Sequence, residues 1–536
     1  MFMKKRIFTT VSALLIGTFV FSQSLEESIK LTKNEQFETA DAAFKKLITA
    51  NPNNGDIYFY YGENFYYNDN LDMAYAMYQR GIEMNATNPL CYVGVGKILW
   101  GQGKEAEAKT NFYKAYAGLS GKKNITVLLK TAEVYIFSQS KDLIEANKLL
   151  AEAEKLDPKN PEVHILKGDA VLEANEMDAS SAISHYEKAE ALNKNAVLAI
   201  LRQGKLYSRA KNYNLALDYY KKASAIDSTF APAYREKAEI YFRAGQYANA
   251  VEQYKRYLEL NNNCSARSRY AGFLNQAAKY KESVEQSKEA LKCDPENAYT
   301  YRYKGRSEYE TGDYANGLAS MNTFFDLAAK NPKLKIISED YEYRAKLYFK
   351  NNNDSLAIAE YNKALALQPE KQLEINRDLA NLYMKTKRFA KAIETYSVNV
   401  ASGKANVNDY FGLGRAYYYS KDYSNADSAF AKIIETVPQV NLGYLWRAKA
   451  NVQQDLNNES WRAKPFYESY IATTKEADFE KNKKDLIEAY TYLGVYQIKQ
   501  KQTCLARPYF EKIAALDAAN ENAKKFLESA DAKKCE

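Results

Sequence analysis

The chain has 536 residues, 46% hydrophobic and 26% charged, with 75 basic side chains against 67 acidic ones and a formal net charge of +8. That balance excludes an intrinsically disordered chain, which has too little apolar surface to bury, and a nucleic-acid binder with a dense basic stripe. The length exceeds a single globular core, so the chain needs either several domains or a repeated architecture.

The first predicted element is MFMKKRIFTTVSALLIGTFVFS. Lys4, Lys5 and Arg6 precede an apolar run from Ile7 to Phe21, and Val20 and Ser22 stand where signal peptidase reads small or aliphatic residues. This predicts a secretory signal over residues 1–22, cut before Gln23. The first cysteine is Cys91, so no lipid-anchor cysteine follows the run. No later segment is apolar for long enough to cross a bilayer. The expected location is therefore outside the cytoplasm, periplasmic or outer-membrane-associated in a Gram-negative bacterium, with no direct membrane span in the mature chain.

From residue 23 the chain reads as helices. A degenerate unit lies around Phe37, Ala40 and Phe44. A clear one follows at Gly204, Tyr207, Tyr213, Ala216, Tyr220 and Ala223, and its offsets return 34 residues later at Ala238, Tyr241, Tyr247, Ala250, Tyr254 and Tyr257. In YFGLGRAYYYSKDYSNADSAF, residues 410–430, Tyr410, Leu413, Gly414 and Tyr417 share one helical face, and Tyr423, Ala426 and Phe430 share the next. The small residue of the first helix recurs as Gly62, Gly96, Ala132, Gly168, Gly204, Ala238, Ala271, Gly305, Ala345, Ala380, Gly414, Ala448 and Gly494. Pro52, Pro158, Pro295, Pro369 and Pro438 close units, because a residue without an N–H ends one helix and leads into the next.

This order of small residue, tyrosine, turn, alanine, aromatic and proline resembles the tetratricopeptide repeat (TPR) family. The resemblance implies an all-α fold: a right-handed α-solenoid of about fourteen helix-turn-helix units. It would occupy residues 23–518, followed by a C-terminal cap helix over 519–536. Each unit of such a solenoid touches only its neighbours, which overrides the several-domain prior. Spacing loosens at Asn331–Ile337, Asp455–Ser460 and Thr473–Asp485, and Glu308 stands where an aromatic is expected.

Motifs for chemistry dissolve into the repeats. Gly101, Gly103 and Ala106 have the order of a dinucleotide loop, but Tyr92, Gly96, Ala108, Phe112 and Ala115 around them keep repeat register, which makes the glycines a turn between helices. Of the two histidines, His164 takes a packed position and His185 an exposed one, so neither a shared metal nor a catalytic pair is expected. No cofactor or catalytic residue is predicted.

Within the repeats, Cys264 begins a first helix and Cys293 lies near the end of its second; Cys504 starts the last second helix and Cys535 ends the cap. Two disulfides are expected, with Cys91 left over. The family's first helices line a concave groove. Mapped here, its partner-binding positions are Phe59, Tyr66, Tyr67 and Trp100 near the start and Phe411, Tyr418 and Tyr419 near the end. Between them lie Lys205, Arg209, Arg235, Arg243, Arg302, Arg306, Lys346, Lys350, Arg377, Lys385 and Arg415, a basic middle, although Glu63, Glu239, Glu310, Glu339 and Glu342 share the surface. Arg377, Asn381 and Lys385 look like the first half of a carboxylate clamp; its second half is missing, since Gly412, Leu442 and Trp446 hold those places.

The expected function is a non-enzymatic scaffold for extended or helical segments of envelope or secretion-machinery proteins, with no nucleic acid. The alternative is a glycan-binding module of a TPR-containing outer-membrane uptake system.

Overall fold

The computed structural model describes residues 24–117, 119 and 124–535, so the signal expected over 1–22 lies outside the described residues. From Leu25 to Leu516, twenty-eight α-helices follow in the order helix, short turn, helix, and no strand occurs among the described residues. Side-chain caps start many of them. Asn70, Asn88, Asp142, Asp178, Asn212 and Asp422 each accept a backbone N–H of the first turn, which no intrahelical carbonyl can reach. Second helices stop at Ala50, Leu156, Cys293, Leu367 and Thr436, each two residues before one of the predicted prolines. In most pairs the turn passes through the left-handed region, as at Gly103 (φ +76°), so in the dinucleotide-like order Gly103 lies in a turn between helices and Gly101 ends the helix before it.

What holds many of the pairs is the small residue opposite an aromatic; Leu143–Leu156 presents leucines instead. A Cβ on Gly62 would lie 2.3 Å from the Tyr78 ring, and one on Gly414 would lie 2.5 Å from the Phe430 ring. Where the column holds alanine, as at Ala132, Ala238, Ala345 and Ala448, the residue is fully buried. The aromatics set against the column, Tyr78, Tyr186, Tyr220 and Phe430, are also fully buried, which gives each pair its own piece of core. Glu308, the departure from this pattern, is buried and accepts a hydrogen bond from Ser320 Oγ at 2.7 Å.

The chain divides into two compact units, one ending at Ser307 and one beginning at Glu308. In the first, the first pair reaches the sixth and seventh: Lys30 Nζ lies 3.0 Å from Asp227 Oδ2, at the end of the sixth pair, and Tyr257 OH of the seventh donates to Glu35 at 3.1 Å. The segment expected as one cap helix is two short ones, Glu521–Leu527 and Ala530–Lys533, because Ser529 caps a new helix start by accepting from Ala532 N.

Cys264 is bonded to Cys293 and Cys504 to Cys535, with Cα atoms 6.2 and 5.1 Å apart, while Cys91 is a buried free thiol. Each bridge joins the open ends of neighbouring helices across 29 or 31 residues. Reduction of the folded protein is expected to cost about 3 kcal/mol per bridge and to lower the denaturation midpoint measured with and without thiol. An unchanged midpoint would show that neither bridge stabilises the fold.

Candidate functional site

In the first unit, first helices of neighbouring pairs bring together a charged cluster. Glu63 lies on Gly55–Tyr67, Lys97 on Pro89–Gly101, and Lys130 and Glu133 on Ile125–Phe137. Glu63 is 2% exposed, and its carboxylate accepts from Lys97 Nζ at 2.9 Å, Lys130 Nζ at 3.2 Å and Tyr78 OH at 2.8 Å. Lys130 also donates to Glu133 at 2.7 Å, and Tyr67 OH donates to the same carboxylate. Burial works against ionisation of Glu63, but Lys97 and then Lys130 outweigh it, and the carboxyl stays below its usual range. The same balance holds Glu133 down.

Tyr66 and Tyr67 flank this cluster, with Lys97 Nζ 3.8 Å from the centre of the Tyr66 ring. Phe59 and Trp100 do not face a groove. Both are buried in the core, and the Trp100 indole N–H donates to Ser140 O at 2.6 Å, which corrects their expected surface position.

The expected basic middle is largely neutralised. Lys205 pairs with Glu236 at 3.1 Å, and Arg235 pairs with Glu35. Arg302 and Arg306 are 8% and 3% exposed, so the joint charged surface expected of them is corrected to a buried position. Arg243 is exposed. In the second unit, Arg377 makes a two-pronged contact with the buried Asp409, at 2.8 and 2.9 Å. Asn381 Oδ1 accepts from Tyr396 OH at 2.8 Å, and Lys385 Nζ sits 4.0 Å from the centre of the Phe349 ring. The clamp-like half is thus engaged within the chain, and Arg377 bridges successive first helices.

Arg415 differs. It is half-buried on Val407–Tyr419, and its guanidinium carbon lies 5.6, 5.8 and 5.9 Å from the ring centres of Phe411, Tyr419 and Trp446. Its buried Nε has no hydrogen-bond partner, and no acid pairs with it among the described residues. Tyr418 and Trp446 meet edge to face at 5.4 Å, while Tyr419 is 45% exposed and stacks on Phe389 at 5.8 Å. Sequence reasoning placed Phe411, Arg415, Tyr418 and Tyr419 on this surface but counted Trp446 only as a missing clamp residue. The signal was present: an indole at a surface position of the next first helix.

His164 is buried, and its ring lies parallel to that of His185, centres 6.1 Å apart. Burial lowers the pKa of both, which favours the neutral rings. No helix among the described residues is long and apolar enough to cross a membrane.

Paired helices, many of them closed by an aromatic on a small residue, with engaged and unengaged side chains along their first helices, make up an all-helical repeat solenoid. Tetratricopeptide repeat models match residues 201–263 and 410–439. The C-terminal part of a TPR repeat-containing protein from Cytophaga hutchinsonii is 31% identical, covering 49% of this chain and 100% of that one, with a TM-score of 0.46. The chain belongs to the tetratricopeptide repeat family, on the strength of these sequence matches. A tetratricopeptide repeat protein from Parabacteroides merdae is 18% identical over 48% of this chain and 98% of its own, at a TM-score of 0.32. A MamA protein is 19% identical over 33% and 97%, at 0.29. No curated protein matches the chain.

Proposed function

We propose that this protein is an exported, non-enzymatic scaffold that grips extended or helical segments of envelope or secreted proteins, and that the surface around Arg415 in its second unit is the contact site. The observation that carries the reading is Arg415 itself, a half-buried cation framed by aromatic rings with no acid beside it among the described residues. A guanidinium so placed has part of its water removed in advance. It gains most from a partner carboxylate that arrives with apolar side chains for Phe411, Tyr418 and Trp446. The two disulfides support export, since such bonds persist in oxidising compartments. The glycan alternative rests on one observation, the exposed Tyr419 ring stacked on Phe389, a flat platform suited to a sugar face.

A photo-crosslinking residue in place of the exposed Ser420, used in intact cells, tests the site. Adducts with envelope or secreted proteins are expected, and Arg415→Ala should cut their yield about tenfold or more with helicity unchanged. Trp446→Ala should act in the same direction. Adduct yields that ignore both substitutions would remove this surface from the account. An absence of protein adducts, together with saccharide binding that Tyr419→Ala abolishes, would favour the glycan reading.

A further inference from the structure

The first helix pair carries a turn that is bound by the seventh pair and the loop leading into it. Between the helices Leu25–Lys33 and Phe37–Ala50, the turn presents Asn34, Glu35 and Gln36, and all three side chains are held by one distant stretch of the first unit. Asn34 Nδ2 donates to Asp227 Oδ2 and to Thr229 Oγ1, each at 3.0 Å, and Gln36 Nε2 donates to the Thr229 carbonyl at 2.8 Å. The Glu35 carboxylate accepts from Arg235 Nη1 and, at 3.1 Å, from Tyr257 OH. Asn261 Nδ2 donates to that phenol oxygen at 2.7 Å, which orients it toward Glu35. Lys30 adds an ion pair to Asp227, and Asn68 accepts from Asn263 Nδ2 at 3.3 Å in the adjoining pair.

These groups recognise a ligand in the way a binding site does. A cation and a phenol read one carboxylate, while an acid, a hydroxyl and a carbonyl read the two flanking carboxamides. Asn34 and Gln36 are buried by the contact. Burial works against the Arg235 charge, and the Glu35 carboxylate outweighs it. Asp227 is held down to about 2: burial opposes its ionisation, and hydrogen bonds from Thr229, Lys30 and Asn34 prevail. The contact is polar and charge-assisted, so it can release without exposing a large apolar face.

We propose that Asn34, Glu35 and Gln36 form an internal ligand, and that Asp227, Thr229, Arg235 and Tyr257 form a site for a polar turn carrying one carboxylate between two carboxamides. The chain's own first pair occupies the site and latches the first unit closed. A partner that uses the site must present a turn of the same chemistry and displace it. This inference is independent of Arg415, which lies in the other unit.

Glu35 has φ +58°, at the turn position that holds Gly103, Gly245 and Gly312 in other pairs, so glycine removes the ligand carboxylate without cost to the turn. Hydrogen exchange by mass spectrometry on the full mature chain reads the latch. In Glu35→Gly, the amides of Leu25–Lys33 should exchange about tenfold faster, with those of the neighbouring pairs unchanged. Arg235→Glu should do the same, and combining it with Glu35→Arg should return most of the protection. Unchanged exchange in Glu35→Gly, or no recovery in the double reversal, would overturn the proposal. Wild-type protection that rises with protein concentration would also overturn it, by assigning the turn to a second copy.

Discussion

Glu63→Ala is expected to destabilise the first unit by about 3–5 kcal/mol, because it leaves two buried ammonium groups with one fewer carboxylate between them. Lys97 and Lys130 lie 2.9 and 3.2 Å from the Glu63 oxygens, and Tyr78 OH would lose its acceptor at the same time. Glu63→Gln keeps the volume and one acceptor oxygen, so it should cost less than alanine; chemical denaturation of the three proteins orders them. A pH series supplies a second check. The Glu63 carboxyl is held below its ordinary value of 4.5, so its contribution to stability is complete above that pH and is lost as pH falls toward the folded value. The denaturation midpoint of the wild type should therefore drop on acidification below about pH 4.5, and drop less steeply in Glu63→Gln. Equal stability of Glu63→Ala and wild type would mean that the cluster rearranges freely.

Phe430→Ala is expected to cost the second unit about 3–5 kcal/mol, since the ring is fully buried against Gly414, Phe411 and Trp446. Gly414→Leu alone should also destabilise, because its Cβ would meet the fully buried Phe430 ring at 2.5 Å. Together the two changes exchange a large and a small residue across the same contact. The double variant should recover about 0.5–3 kcal/mol relative to the sum of the single changes. Strict additivity in the denaturation data would contradict the direct packing of this pair. Because Phe430 backs Trp446 at 5.5 Å, Phe430→Ala should also weaken capture at the Arg415 surface even where the protein remains folded.

Much of this was legible in the sequence. Gly62, Gly96, Gly204 and Gly414 form a column with an aromatic a fixed distance downstream, and each observed contact lies within one helix pair. Contacts so close in sequence are encoded by the spacing itself, which is also why the ends of the helices carrying Cys264 and Cys293 could be paired in advance. The site was less legible because exposure depends on neighbours outside the unit. Phe59 turns onto Tyr78 of its own pair, and Trp100 packs between Phe112 of its own pair and Tyr135 of the next, contacts that repeat register does not specify. The cations at positions 205, 235 and 377 looked free because their acids lie elsewhere in the fold, Glu236 and Asp409 on other helices and Glu35 in the first turn.

The repeat, the turns, the pairing of helices and the two cysteine pairings can be read along the chain, since each follows from the periodicity of apolar residues and the reach of a short turn. Which first-helix side chains face solvent, which cations stay unopposed, and that Glu35 meets Arg235, 200 residues on, emerge once the pairs are stacked. The physical reason is accumulation. The per-repeat rotation of a solenoid is small, no single repeat specifies the sum, and the sum over six steps brings the turn of the first pair onto the seventh.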